Sequence, residues 1–131
     1  MWRRARLRAF PDLEARMGYT VEQDHHHFRT VIAARNALWV AEVNGRPVGF
    51  MAIAGDFIDQ LFVDHEHQRR GFGSALITQA KRLSPGGLRL FTFQNNGAGR
   101  TFYEKHDLKA VRFGVSAAPE SEPDVEYHWM P

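Results

Sequence analysis

Gln68, Arg69, Arg70, Gly71, Phe72 and Gly73 lie between a strand-like run, Ile58 to Val63, and a helix-like run that starts near Phe72. A strand that feeds a glycine-rich turn into a helix N-terminus makes an anion site. The first amides of the helix have no intrahelical acceptor, and the helix dipole adds partial positive charge at the same place. Gly71 and Gly73 allow the backbone to approach a phosphate with no side chain between them, and Arg69 and Arg70 bring charge. The chemistry therefore points to a phosphorylated ligand. A mononucleotide P-loop would need Lys and then Ser or Thr after its last Gly, but Gly73 is followed by Ser74 and Ala75. A dinucleotide fingerprint would need a third Gly where Leu76 stands.

A second chemistry-bearing segment follows: Asn96-Gly97-Ala98-Gly99-Arg100-Thr101-Phe102-Tyr103-Glu104-Lys105-His106-Asp107-Leu108. The two segments, in this order and with one strand between them, resemble the signature motifs of the GNAT (Gcn5-related N-acetyltransferase) superfamily. The first is similar to its Gln/Arg-x-x-Gly-x-Gly/Ala pyrophosphate loop. The second is similar to its Asn-x-x-Ala-x-x-Phe-Tyr-Glu-x-x-Gly-Phe segment, with Gly99 in place of Ala and Asp107-Leu108 in place of Gly-Phe. The departure at Asp107 bears on how the helix ends. The resemblance covers the chain from about Val21 onward.

The resemblance implies acetyl-CoA as co-substrate, an amine as acceptor, direct transfer and no metal. Its pyrophosphate would take the loop from Gln68 to Ser74. Its pantetheine arm would enter a splay beside the preceding strand and pair with main chain at Phe62 and Val63. Asn96 stands where the family places a polar contact to that arm, Gly99 leaves room for it, and Arg100 is placed to reach the phosphates. Tyr103 is expected to protonate the departing thiolate, since a phenol with pKa about 10 is fully protonated at neutral pH. The general base stays open among Asp59, Asp56, Glu42, His25 and a water chain. Asp59 leads, because it shares strand parity with Leu61 and Val63. The acceptor is a small-molecule or protein amine, and Glu120 and Glu122 would favour a cationic one. The alternative is a non-catalytic CoA-binding module of the same fold.

These residues need a scaffold, and its elements are legible. Short helical turns broken at Pro11 reach about Met17. Thr20 and Gln23 form a capping-box pattern that opens a helix to about Arg35. Leu38–Val43 and Val48–Ala54 flank an Asn44-Gly45 hairpin turn. Ile58–Val63 follows, and then a helix to about Leu83 that carries Ala75, Leu76, Ala80 and Leu83 on one face and stops at Pro85-Gly86-Gly87. Leu88–Phe93, the helix Gly97–His106 and two strands near Ala110–Ser116 and Asp124–Met130 complete the chain. The fold class is α/β (α+β): a central mixed, mostly antiparallel sheet with splayed middle strands and helices on both faces. Residues 1–131 form one acetyltransferase domain. The family's usual first strand is absent, so that strand is dispensable, a partner covers the edge, or the native start lies upstream. An uncovered edge favours a homodimer.

Composition narrows the classes. The 131 residues, with 44% hydrophobic and 24% charged, fit one ordinary globular core. With no Cys, thiol nucleophiles, disulfides and thiolate metal sites are excluded, and a reducing, cytoplasmic setting is expected. The net charge of +2 and the acids spread along the chain argue against nucleic acid as partner. No apolar run is long enough for a membrane span. Arg3, Arg4, Arg6 and Arg8 sit among Trp2, Leu7 and Phe10 in a pattern that reads as a packed helix rather than a targeting peptide. The run His25-His26-His27 cannot converge on one ion, because neighbours on a helix diverge by about 100°. His25 is expected on the inner stripe with Val21 and Phe28. Trp39, Tyr127 and Trp129 are expected as core or groove walls.

Overall fold

The computed structural model describes residues 2–131. Helices α1 (Trp2–Ala9), α2 (Pro11–Met17) and α3 (Val21–His27) come first, then a π-helical turn (Phe28–Ile32) and a last turn α4 (Ala33–Arg35). Strands β1 (Ala37–Val43), β2 (Arg46–Ala54) and β3 (Phe57–Val63) lead through a 3-10 turn (His65–His67) to α5 (Phe72–Leu83). Then come β4 (Leu88–Phe93), α6 (Gly97–Lys105), β5 (Lys109–Val115) and β6 (Pro123–Trp129). The six strands are ordered β1-β2-β3-β4-β6-β5. All pairings are antiparallel except β3 with β4, whose connection runs through α5 as a parallel pair requires.

Local chemistry explains the element ends. Pro11 opens α2, where its missing N–H costs nothing. Thr20 and Gln23 form the reciprocal capping box at α3. Asn44 and Gly45 both adopt positive φ, 52° and 76°, as the tight hairpin turn needs. The helix expected to run unbroken to Arg35 instead widens at Phe28–Ile32. There the Thr30 hydroxyl donates to the His26 carbonyl at 2.7 Å, and the Ala33 N–H reaches back to Phe28 O.

Two apolar layers sandwich the sheet, because successive β2 side chains point to opposite faces. Met51 and Ile53 join Ile58, Leu76, Ile77, Ala80, Leu90, Leu108, Val125 and Tyr127 beneath α5 and α6. Phe50 and Ala52 join Trp2 and Ile32 beneath α1 and α3, with Phe28 and Phe62 packed alongside. The inner stripe of α5 is Leu76, Ile77 and Ala80, whereas Ala75 is exposed and Leu83 is 44% exposed. The wider stripe expected from sequence is therefore turned by one residue. Tyr127 is fully buried and Trp129 half-buried, but Trp39 lies exposed on β1, the edge of the sheet.

The three N-terminal helices are pinned by ions rather than by a large apolar face. Arg6 donates to Glu14 at 2.6 Å and to Asp24 at 3.1 Å, and Arg3 pairs with Asp24 at 2.9 Å. Glu14 and Asp24 are buried, so their charges depend on these partners. The Arg6 guanidinium also stacks 4.3 Å from the Trp2 ring.

Candidate active site

β3 and β4 are joined at only two residue pairs, Phe57 with Arg89 and Ile58 with Leu90. Beyond them the strands separate. The divergence begins at Asp59, which has no partner in β2: Gln60 pairs with Ala52 and Ile58 with Ile53. Asp59 is thus the extra residue of a β-bulge, and a bulge bends its strand. It also breaks strand parity. Ile58 and Leu61 both pack toward α5 and α6, while Asp59 is exposed and accepts a hydrogen bond from Asn36 Nδ2 at 3.1 Å. The parity argument that set Asp59 beside Leu61 and Val63 therefore fails at the bulge.

The exposed edge of β3 offers main-chain groups to the gap. The Asp64 N–H donates to Val48 O at 2.7 Å, which makes Asp64 a hydrogen-bonded partner of β2. Alternation then turns Phe62 toward β2 as well, and directs the N–H and C=O of Leu61 and Val63 into the gap. Of the two expected main-chain positions, Val63 faces the gap. Phe62 pairs with Phe50, and its ring stacks on the Phe50 ring at 6.2 Å.

The glycine loop closes one end of the gap. Gln68 Nε2 donates to Val63 O at 3.2 Å, so this side chain ties the loop to the strand. Arg69, at φ 64°, and Gly71, at φ 89°, both take left-handed backbone; the second is at home there as glycine. The first α-helical bond of α5 runs from Ala75 N–H to Gly71 O at 2.9 Å. Phe72, Gly73 and Ser74 consequently hold amides with no intrahelical acceptor. Arg69 and Arg70 are exposed at the same turn. Gly73 also has a reason that the sequence did not show. A Cβ there would sit 3.1 Å from Phe102 Cζ, so the glycine lets α6 pack against α5.

Helix α6 supplies the opposite wall. Asn96 caps it: Oδ1 accepts from the Gly99 N–H at 3.1 Å and Nδ2 donates to Thr92 Oγ1 at 2.9 Å. A Cβ on Gly99 would collide with this amide, so the missing side chain makes room for Asn96. The Arg100 guanidinium donates to the Tyr127 hydroxyl at 3.1 Å and lies 5.5 Å from the Phe113 ring, on the β5–β6 side. Tyr103 is buried against Phe102 and Tyr127, and burial pushes its phenol pKa upward. Asp107 adopts φ 70° where glycine would be unstrained, and Leu108 is still fully buried. The helix exit is kept despite the substitution.

Other candidates lie apart. Asp56 pairs with Arg89 at 3.2 Å in an exposed turn, Glu42 is exposed on the edge strand, and His25 faces solvent while Asp24 takes the inner position. Among the described residues no group of three His, Cys, Asp or Glu could hold a metal. A feature missed in the sequence is a pair at the loop itself: Ser74 Oγ and His106 Nε2 are 3.0 Å apart. Its only sequence signal was that His106 falls one turn after Phe102 in the second motif.

On the α1–α2 face, at the C-terminal end of β4, is a cavity of about 220 Å³ lined by Phe10, Pro11, Asp12, Leu13, Phe93, Asn95 and Glu122. Phe10 and Phe93 meet edge to face at 5.0 Å. Arg16 donates to Glu122 at 2.6 Å, and Tyr19 donates to Glu120 at 2.9 Å, which fastens the β5–β6 loop over the helices.

A parallel strand pair that opens beside a phosphate-type loop has the shape and the free amides to hold a long, phosphorylated ligand along β3. Residues 34–107, more than half of the chain, match the acetyltransferase (GNAT) domain family, and the chain belongs to that family. It is 37% identical over 79 residues to the uncharacterized N-acetyltransferase YafP of Escherichia coli K12, covering 60% of this chain and 50% of YafP. It is also 37% identical over 75 residues to the peptidyl-lysine N-acetyltransferase YjaB of Salmonella typhimurium LT2, covering 56% of this chain and 51% of that protein. The chain thus spans about half the length of these relatives. In fold it is similar to apo-form YjaB from Escherichia coli, with TM-score 0.71 at 23% identity over 95% of this chain and 86% of that one. It is also similar to the PaiA N-acetyltransferase of Thermoplasma acidophilum in complex with coenzyme A, with TM-score 0.68 at 16% identity over 98% and 87%.

Proposed function

We propose that this chain transfers an acetyl group from acetyl-CoA directly to an amine. The observation that carries the reading is the gap between β3 and β4, which opens beside the free amides of α5 and exposes the main chain of Leu61 and Val63. In this reading the pyrophosphate sits on the amides of Phe72, Gly73 and Ser74, with Arg69 and Arg70 adding charge. Gln68 and Asn96 brace the loop and α6, and Arg100 braces α6 against β6. The pantetheine amides pair with Val63 and Leu61 like an added strand. An amide of β3 polarises the thioester carbonyl.

The neutral amine attacks that carbonyl, a C–N bond forms, and the C–S bond breaks. The Tyr103 phenol gives its proton to the departing thiolate, while the amine loses one to water. Asp59, the one acid on β3, receives that proton through solvent. No step calls for a metal. The acceptor enters from the opposite face through the cavity at Phe10 and Phe93, where the exposed carboxylate of Asp12 suits a cationic small molecule or a protein lysine, Glu122 being already paired with Arg16. That YjaB is named for peptidyl-lysine supports the second. A second reading, a non-catalytic CoA-binding module, draws on the burial of Tyr103 among core residues. Leu38, Trp39 and Val40, exposed on the edge strand, support self-association as a dimer. The cytoplasmic setting read from the sequence belongs to the same proposal; among the described residues no helix is long and apolar enough to cross a membrane.

Calorimetric titration with acetyl-CoA tests the site. Binding in the micromolar range that Gly71→Glu abolishes supports it, because a carboxylate would both strain the left-handed turn and repel phosphate. No binding by folded protein refutes it. Thiol release with an amine panel then separates the two readings: Tyr103→Phe lowers kcat at least tenfold, with acetyl-CoA affinity unchanged, only if the phenol acts as the acid.

A further inference from the structure

Ser74 holds the third free amide of α5, and its hydroxyl lies 3.0 Å from His106 Nε2. The imidazole is fixed from several sides. Its ring packs 4.7 Å from the Phe102 ring, the same ring that fills the space over Gly73. The backbone carbonyl of His106 accepts from Lys81 Nζ at 2.8 Å. Loop, α5 and the end of α6 are therefore one packed unit, with a titratable group one hydrogen bond behind the anion site.

The hydroxyl has one proton, and His106 decides where it points. When Nε2 is unprotonated, Ser74 Oγ donates to it and has no proton left for a ligand. When Nε2 carries a proton, it donates to Oγ, and the Ser74 proton is free for a phosphate oxygen. The imidazolium also adds a positive charge behind the helix N-terminus. We infer that His106 is a positioning residue for the diphosphate of the co-substrate: taking up a proton as the ligand binds, it turns the Ser74 hydroxyl from the imidazole to the phosphate. This rests on the acetyl-CoA reading above.

The charged groups around His106 are Lys81 from α5 and Lys105 and Asp107 from its own segment. Burial and the two lysines hold the free imidazole below its ordinary range, and Asp107 opposes them. The unliganded ring is accordingly neutral at pH 7, and an arriving diphosphate raises its pKa. The sign follows: affinity increases as pH falls through the value of the bound state, and levels off below that of the free state.

The test uses dephospho-CoA, which lacks the 3′-phosphate that would itself titrate in this range. Its Kd is measured by calorimetry from pH 8 to pH 6, in buffers of different ionisation heat. Expected is a Kd that tightens about three- to tenfold toward pH 6, the effect of one charge a few ångströms behind the phosphate near a protein surface. Proton uptake at neutral pH accompanies it. His106→Gln, which keeps a hydrogen-bonding partner for Ser74, flattens both; Ser74→Ala loses the hydroxyl's share of the slope and keeps the share that the imidazolium charge supplies. In the unaltered protein the His106 Cε1–H resonance reports the raised pKa on ligand addition without any substitution. His65 and His67, close to the loop, are present in every variant, so a difference between variants comes from His106 or Ser74. A slope that survives in His106→Gln, or a His106 resonance whose titration ignores the ligand, overturns the inference while leaving the binding site standing. No binding at any pH overturns both.

Discussion

Asn96 and Gly99 should be energetically coupled, and the size of the coupling follows from their geometry. Asn96→Ala removes the cap on the Gly99 amide and the bond to Thr92, a loss of about 1.5–2 kcal/mol. Gly99→Ala gains about 1 kcal/mol of helix propensity, but the new Cβ expels the Asn96 amide from its place. The cap is then lost too, and the single variant is destabilised by about 0.5–1 kcal/mol. In the Asn96→Ala background the space is already empty. There Gly99→Ala recovers its full propensity gain, so the double variant lies only about 0.5–1 kcal/mol below the parent, which makes the coupling about 1.5–2 kcal/mol. Urea unfolding of the four proteins, followed by circular dichroism with m held common, measures it. Additivity within about 0.5 kcal/mol would refute the reasoning. It would mean that Asn96 is not held as the cap of α6 and is free for the contact to the pantetheine arm expected from sequence.

Two further outcomes follow from strain and from buried charge. Asp107→Gly relieves a left-handed residue at the exit of α6 and should stabilise the fold by about 0.5–1 kcal/mol, read as a higher urea midpoint; a lower midpoint would show that the carboxylate has a role of its own. Arg6→Ala leaves Glu14 and Asp24 buried with Arg3 alone and should cost about 3 kcal/mol in the same assay, whereas a change within about 0.5 kcal/mol would mean that the N-terminal helices are held by their apolar contacts instead.

Much of the fold was legible because it depends on local chemistry. The Thr20 box, the Asn44-Gly45 turn, Pro11 and the glycine stop after α5 each act within a few residues, and each element they bound is present. The two motifs also announced the family from the chain alone. Other readings failed where a neighbour distant in sequence decides. Strand parity put Asp59 beside Val63, and a single bulge against β2 undid it. For Gly73 the sequence showed one reason and packing adds another, since Phe102 occupies the space that a Cβ would need. Trp39 was read as a wall from its place in an alternating strand, but that strand, β1, lies at the edge with β2 alone beside it.

The sequence by itself thus determined which residue types stand where a phosphate can dock, since an anion loop is built from adjacent backbone amides. Only tertiary structure decided which main-chain groups of β3 are free and that His106 stands behind Ser74. Both depend on how far strands and helices approach one another across the chain, a matter of packing that no local pattern encodes.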